Sequence, residues 1–159
     1  NNDIESIREY LKSLVDSDNE VCGEVRHCDN LTINTVLTVY ERRARESGIS
    51  VKISAKASRD LEVSPKDLVI VIANLFENAI HATQKHKGQK KLIDIIIKSD
   101  AQRLLIKVEN PCKNNLTFDE TLYGVGIHSV IATTNKYEGM YDFIAEDGIF
   151  SAKISLNLK

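Results

Sequence analysis

The stretch Asp67-Leu68-Val69-Ile70-Val71-Ile72-Ala73-Asn74-Leu75-Phe76-Glu77-Asn78-Ala79-Ile80-His81-Ala82 decides the fold. Just before it, Ser64 is a favourable N-cap and Pro65 suits the first helical position, so a helix is expected from Pro65 to His86. The segment is apolar almost all the way round, which marks a buried helix. Yet Asn74, Glu77, Asn78 and His81 fall at i, i+3, i+4 and i+7, on one narrow stripe. A buried amide without partners costs about 1–3 kcal/mol. The stripe therefore needs partners. They are either neighbouring loops of the same protein or a hydrated ligand carrying a metal.

A second element favours the ligand. Tyr123-Gly124-Val125-Gly126-Ile127-His128-Ser129-Val130 places a glycine pair at the start of an apolar run, expected to be helical from Gly126 to Tyr137. Glycines at a helix start let backbone N–H groups approach an anion, and the helix dipole favours negative charge there. A lone Gly-x-Gly is weak evidence, since most such pairs are ordinary turns. An Asn/Glu helix followed by a glycine-opened helix is more specific, because one can hold a metal and the other phosphates.

The 159 residues suffice for one domain with a real core. A net charge of −2 makes no case for a polyanion partner. The local basic run Lys85, Lys87, Lys90 and Lys91 reads as a solvated helix end and loop, not as a nucleic-acid site. The apolar run Leu68 to Ala73 is too short to span a bilayer. The first residues do not read as a signal peptide, and Asn1 is not an initiator Met, so a piece of a longer protein is expected. Cys22, Cys28 and Cys112 match no zinc spacing and suggest reduced thiols. A metal site joining Cys22, His27 and Cys28 would still lack a fourth ligand.

Ile4, Ile7, Leu11 and Leu14 form an apolar seam on a short amphipathic helix. It fits a coiled coil and an ordinary surface helix equally well. Asp16 to Asn19 breaks the pattern as a linker would. A helix is expected from Leu31 to Glu46, capped by Asp29 or Asn30 and stopped at Gly48, with Ile33, Val36, Leu37 and Tyr40 inward. Ile49 to Ser54 alternates as a half-buried strand. Two further strands, Leu92–Lys98 and Leu104–Glu109, flank a turn at Ser99 to Gln102. Asn110 to Leu122 reads as a surface loop. Met140–Ala145 and Phe150–Leu158 read as a hairpin around Glu146-Asp147-Gly148. This order lacks regular βαβ alternation. It implies a two-layer α+β sandwich, with helices on one face of a mixed sheet.

Asn74-Leu75-Phe76-Glu77-Asn78-Ala79 resembles the N box of GHKL ATP-binding domains, the group that includes DNA gyrase, MutL and histidine kinases. Gly124-Val125-Gly126-Ile127 resembles their second glycine box, and Val108-Glu109-Asn110-Pro111 stands where the first would end its strand. The resemblance covers roughly residues 27–159 and implies the Bergerat-type ATP-binding fold. His27-Cys28-Asp29-Asn30 and the Glu109-Asn110-Pro111 replacement are most similar to sensor kinases that receive peptide signals in Gram-positive bacteria. Residues 1–18 would then be the end of the dimerisation and phosphoacceptor hairpin with its linker, and 19–159 the ATP-binding catalytic domain. The phosphoacceptor His belongs to an upstream helix outside this chain.

The resemblance implies ATP and Mg²⁺ as ligands. It makes Asn78 the metal ligand and gives Asn74 support of metal and phosphate. Glu77 would act through the metal's water shell or the nucleotide. His81 would stand where many histidine kinases place a phosphate-contacting Lys. Asn110 replaces the Asp that accepts the adenine amino hydrogen, without the charge assistance of a carboxylate. Gly124, Gly126 and Ile127 would line the phosphates. Hydrolysing relatives carry a Glu at the position of Asn74, and an amide cannot act as general base. The implied partners are the phosphoacceptor helix of the same protein or its dimer mate, a downstream response regulator and a second copy in the full-length dimer. Nucleic acid is not among them. The implied location is the cytoplasmic side of a membrane-anchored sensor. The rival is a non-catalytic or degenerate GHKL module that grips a protein partner, as anti-sigma factors do.

Overall fold

A computed structural model describes Glu9, residues 26–113 and residues 124–159. The expected N-terminal seam, the boundary at residue 18 and most of the 110–122 loop fall outside the described residues. The elements are α1 (Leu31–Glu46), β1 (Ser50–Lys56), α2 (Pro65–Lys85), β2 (Leu92–Ser99), β3 (Arg103–Pro111), α3 (Val125–Lys136), β4 (Met140–Glu146) and β5 (Ile149–Asn157). They form the expected two-layer sandwich, in which one five-stranded sheet has the order β1-β2-β3-β5-β4. β1 and β2 are parallel, joined by the α2 crossover, and the remaining pairs are antiparallel.

Strand register explains the single core. Ile97, Ile106 and Ile154 line up across three strands, as do Ile95, Val108 and Ala152, and all are buried. Alternate side chains therefore share one face. Against it pack Leu37, Leu68, Ile72, Phe76 and Val130 from the helices.

Local chemistry sets the ends of the elements. Asn30, not Asp29, caps α1: its Oδ1 accepts from Ile33 N, and its amide donates to the Ser58 and Arg59 carbonyls. Gly48 follows α1 at φ 75°, the left-handed conformation that suits a helix stop. Ser64 caps α2 and Pro65 opens it, as expected. The β4–β5 turn places Asp147 and Gly148 at φ 50° and 77°, the signature of a two-residue type I′ hairpin.

Most element ends shift by one or two residues from expectation, and two of these boundaries bear on the site. β3 does not stop at Glu109, because β5 runs beside it far enough to pair Asn110 with Phe150 and Pro111 with Ile149. Pro111 is the last residue of the strand, where a missing N–H is tolerated. Asn110 is thus a buried strand residue, not the start of a loop. The last helix starts one residue earlier than expected, at Val125, with Gly124 as its N-cap.

Candidate functional site

Asn74 is half-buried on α2, and its Nδ2 donates to the Ile70 carbonyl at 2.6 Å. That bond turns Oδ1 towards α3. A Cβ placed on Gly126 would lie 2.7 Å from Asn74 Oδ1 and 3.3 Å from Cγ. A side chain at position 126 would push the Asn74 amide out of this position. The N-terminus of α3 is therefore held directly against the polar side of α2. Gly124 caps α3 with no side-chain hydrogen bond; the Ile127 N–H bonds the Gly124 carbonyl, while the N–H groups of Val125 and Gly126 have no partner among the described residues and stay open to an incoming acceptor. The buried Ile127 and Val130 anchor α3 in the core behind this end.

The four polar residues of α2 do not act as one group. Asn74 faces Gly126. Asn78 is half-buried and has no hydrogen-bond partner among the described residues. Glu77 turns towards α1, where Arg43 grips it with two bonds of 2.8 and 3.1 Å. His81 joins the same carboxylate through Nε2 at 3.1 Å. Arg43 in turn lies over the Tyr40 ring, and Tyr40 stacks on Phe76. The partners of the stripe are thus mixed: Arg43 of a neighbouring helix takes Glu77, His81 bonds Glu77 within its own helix, and Asn78 remains open. Arg43 lies 34 residues from Glu77, and no sequence spacing pointed to it.

Asn110 ends the inward-facing row that begins at Leu104, Ile106 and Val108. Its Nδ2 donates to the Pro111 carbonyl at 2.9 Å, leaving Oδ1 as the atom for an incoming donor.

A clasp at the far end of α3 fixes its position on α2. The buried Asp67 accepts from Lys136 Nζ at 2.6 Å and from the Tyr137 hydroxyl at 2.7 Å. The Tyr137 oxygen also accepts from Ser64 N at 3.0 Å. Burial pushes the Asp67 carboxyl up, but hydrogen bonds from Lys136, Tyr137 and Ser64 together outweigh it and hold it below the usual carboxylate range. The same bond raises the Lys136 ammonium. Sequence reading missed this clasp, whose halves are about 70 residues apart.

The motif His27-Cys28-Asp29-Asn30 anchors the chain to α1. His27 Nε2 pairs with Glu41 at 2.8 Å, its backbone N–H donates to Asn34, and Cys28 Sγ reaches the Asn30 carbonyl. Cys22 lies outside the described residues. Among the described residues no three His, Cys, Asp or Glu side chains converge on a metal position. Among the described residues no helix is long and apolar enough to cross a membrane.

A family model described as a GHKL domain matches residues 63–157, which include the Asn74 helix, Asn110 and the Gly124–Gly126 pair. The chain belongs to the GHKL family. Membership implies ATP binding by this GHKL domain. A probable C4-dicarboxylate sensor kinase of Bacillus subtilis is 34% identical over 102 residues, covering 62% of this chain. The chain spans 18% of that protein's length. Among solved structures, the catalytic domain of histidine kinase ThkA superposes with a TM-score of 0.62 at 18% identity, over 79% of this chain and 90% of that one. The Acinetobacter baumannii histidine kinase AdeS superposes with a TM-score of 0.58 at 15% identity, over 80% of this chain and 64% of that one. At these identities the structures establish the shared sandwich fold.

Proposed function

We propose that this GHKL domain is the ATP-binding catalytic domain of a sensor histidine kinase, supplying the γ-phosphoryl to a His on an upstream helix. The observation that carries this reading is the contact between Asn74 and Gly126, which sets the polar face of α2 against the open N-terminus of α3. Carboxamide oxygens and free backbone N–H groups then share one site, and together they suit a metal-bound polyphosphate.

The residues divide the work. Asn78 holds the metal, and Asn74 orients the phosphates while remaining tied to Ile70. Gly124 and Gly126 offer their N–H groups, and Ile127 fixes that turn from the core. Asn110 Oδ1 accepts from the adenine amino group. His81 meets the phosphates from its bond to Glu77, and Glu77 acts on the nucleotide site only from within its Arg43 pair. Mg²⁺ held by Asn78 would supply positive charge to offset the charge that develops on the phosphates. With an amide at position 74, no general base prepares water, so the triphosphate is held for transfer and not hydrolysed.

Residues 1–18 fit the end of the phosphoacceptor hairpin, which makes the domain part of a dimeric, membrane-anchored receptor with its response regulator downstream. The motifs at His27–Asn30 and Glu109–Pro111 support a peptide-signal receptor, whereas the Bacillus subtilis relative is named for C4-dicarboxylates.

The test fuses the chain to its native upstream helix and supplies γ-labelled ATP. Acid-labile, base-stable label on a His, dependent on Mg²⁺, is expected, with negligible ATPase turnover by the chain alone. Multiple-turnover hydrolysis by the chain alone would refute the role of Asn74. Binding without labelling would favour the non-catalytic module.

A further inference from the structure

The sheet face turned away from the helices carries a groove of about 500 Å³ that the nucleotide site does not use. Its apolar floor is Ile96, Leu105 and Met140, of which Leu105 is 46% and Met140 64% exposed. Lys98, Lys107 and Lys153 surround the floor, with Asp142 the acidic side chain among the lining residues. Lys107 is paired with Glu109, whereas Lys98 and Lys153 have no ion-pair partner among the described residues. Ser155 lines the same groove. It is only 8% exposed, and its buried hydroxyl has no hydrogen-bond partner among the described residues.

The chain holds a segment of matching chemistry. Residues 1–25 include seven acidic and two basic side chains, net −5, while the whole chain is −2, so the remainder is +3. Within that segment Ile4, Ile7, Leu11 and Leu14 repeat at helical spacing between acidic residues. The geometry of the chain permits contact. Near Arg26 the chain is fixed by Asn30 to the carbonyls of Ser58 and Arg59, and Ser58 N–H donates to Ser99. Ser99 adjoins Lys98, which opens the row Lys98, Leu105, Ser155 and Met140 across four strands. That row is about 14 Å wide at normal strand spacing. Residues 17–25 can reach about 30 Å when extended.

We propose that residues 3–16 of this chain dock as an amphipathic helix in the groove on the open sheet face. Ile4, Ile7, Leu11 and Leu14 cover Ile96, Leu105 and Met140, and the acidic side chains meet Lys98 and Lys153. The same apolar seam cannot line a hairpin bundle while it fills the groove. Docking would therefore keep the domain away from its acceptor helix, a restraint that a signal must release.

The test uses the full chain with Leu105→p-benzoylphenylalanine, irradiated and mapped by mass spectrometry. Intrachain cross-links to residues 3–16 are expected, reduced at least fivefold by Lys98→Glu with Lys153→Glu. Amide exchange gives a second measurement. Residues 4–14 should be protected at least tenfold over an unstructured chain, and Leu105→Asp should remove that protection. Leu105 is exposed, so the variant should fold, as circular dichroism checks. No cross-link to residues 3–16, cross-links that grow with concentration and join two copies, or exchange unaffected by Leu105→Asp would each overturn the proposal.

Discussion

Replacing Gly126 by Ala tests the joint on which the site rests. The added methyl would lie 2.7 Å from Asn74 Oδ1, closer than carbon and oxygen tolerate. The backbone of α3 is fixed by Ile127, Val130 and the Asp67 clasp, so the Asn74 side chain must turn away. Turning breaks its bond to Ile70, a loss of about 0.5–1.5 kcal/mol. Against this, replacing glycine near a helix start recovers up to about 1 kcal/mol of helix propensity. Stability should therefore change by less than about 1 kcal/mol, while the nucleotide loses a contact at its phosphates. If Kd rises tenfold, ligand at a hundred times the original Kd stabilises by about 1.4 instead of about 2.7 kcal/mol. At about 2–4 °C per kcal/mol, the Mg²⁺–ATP shift in Tm should shrink by about 3–5 °C. Differential scanning fluorimetry with and without Mg²⁺–ATP reads both quantities. An unchanged ATP shift would refute the coupling of Gly126 to Asn74, and so would an apo Tm lowered by more than about 8 °C.

Asn78→Ala should remove most of the Mg²⁺-dependent part of nucleotide binding and leave the apo Tm nearly unchanged, since Asn78 has no partner among the described residues; isothermal titration with and without Mg²⁺ checks both. Asp67 has a lowered folded pKa, so its contribution is complete above the unfolded value near about 3.9 and is lost as pH falls through the folded value. Asp67→Asn should cost about 1–3 kcal/mol at pH 7, and denaturation curves should show wild type and variant converging below about pH 4. Lys136, raised in the folded state, adds the alkaline counterpart: its share persists below the unfolded value and disappears as pH climbs through the folded one. Gly139→Ala would drive a Cβ into the Ser155 carbonyl oxygen, a backbone atom that cannot rotate away. A loss of about 3 kcal/mol is expected from urea unfolding, against at most about 1 kcal/mol for Gly124→Ala, which meets open space and gives up only a favourable N-cap residue.

Patterns local to a short window were legible in the sequence. The Ser64-Pro65 start, the inward face of Leu31–Glu46, the alternating strands and the Asp147-Gly148 turn each follow from steric or hydrogen-bonding rules within a few residues. The helix period likewise fixed that Asn74, Glu77, Asn78 and His81 share one face of α2. Tertiary structure alone decided how that face is divided. Asn74, Glu77, Asn78 and His81 share a stripe, but Arg43 from another helix draws Glu77 to one side. The end of β3 was decided by how far β5 extends beside it, and the placement of Gly126 by a clasp between Asp67, Lys136 and Tyr137. These contacts join residues that are 34 to about 70 positions apart, a separation at which side-chain periodicity carries no information and packing geometry carries all of it.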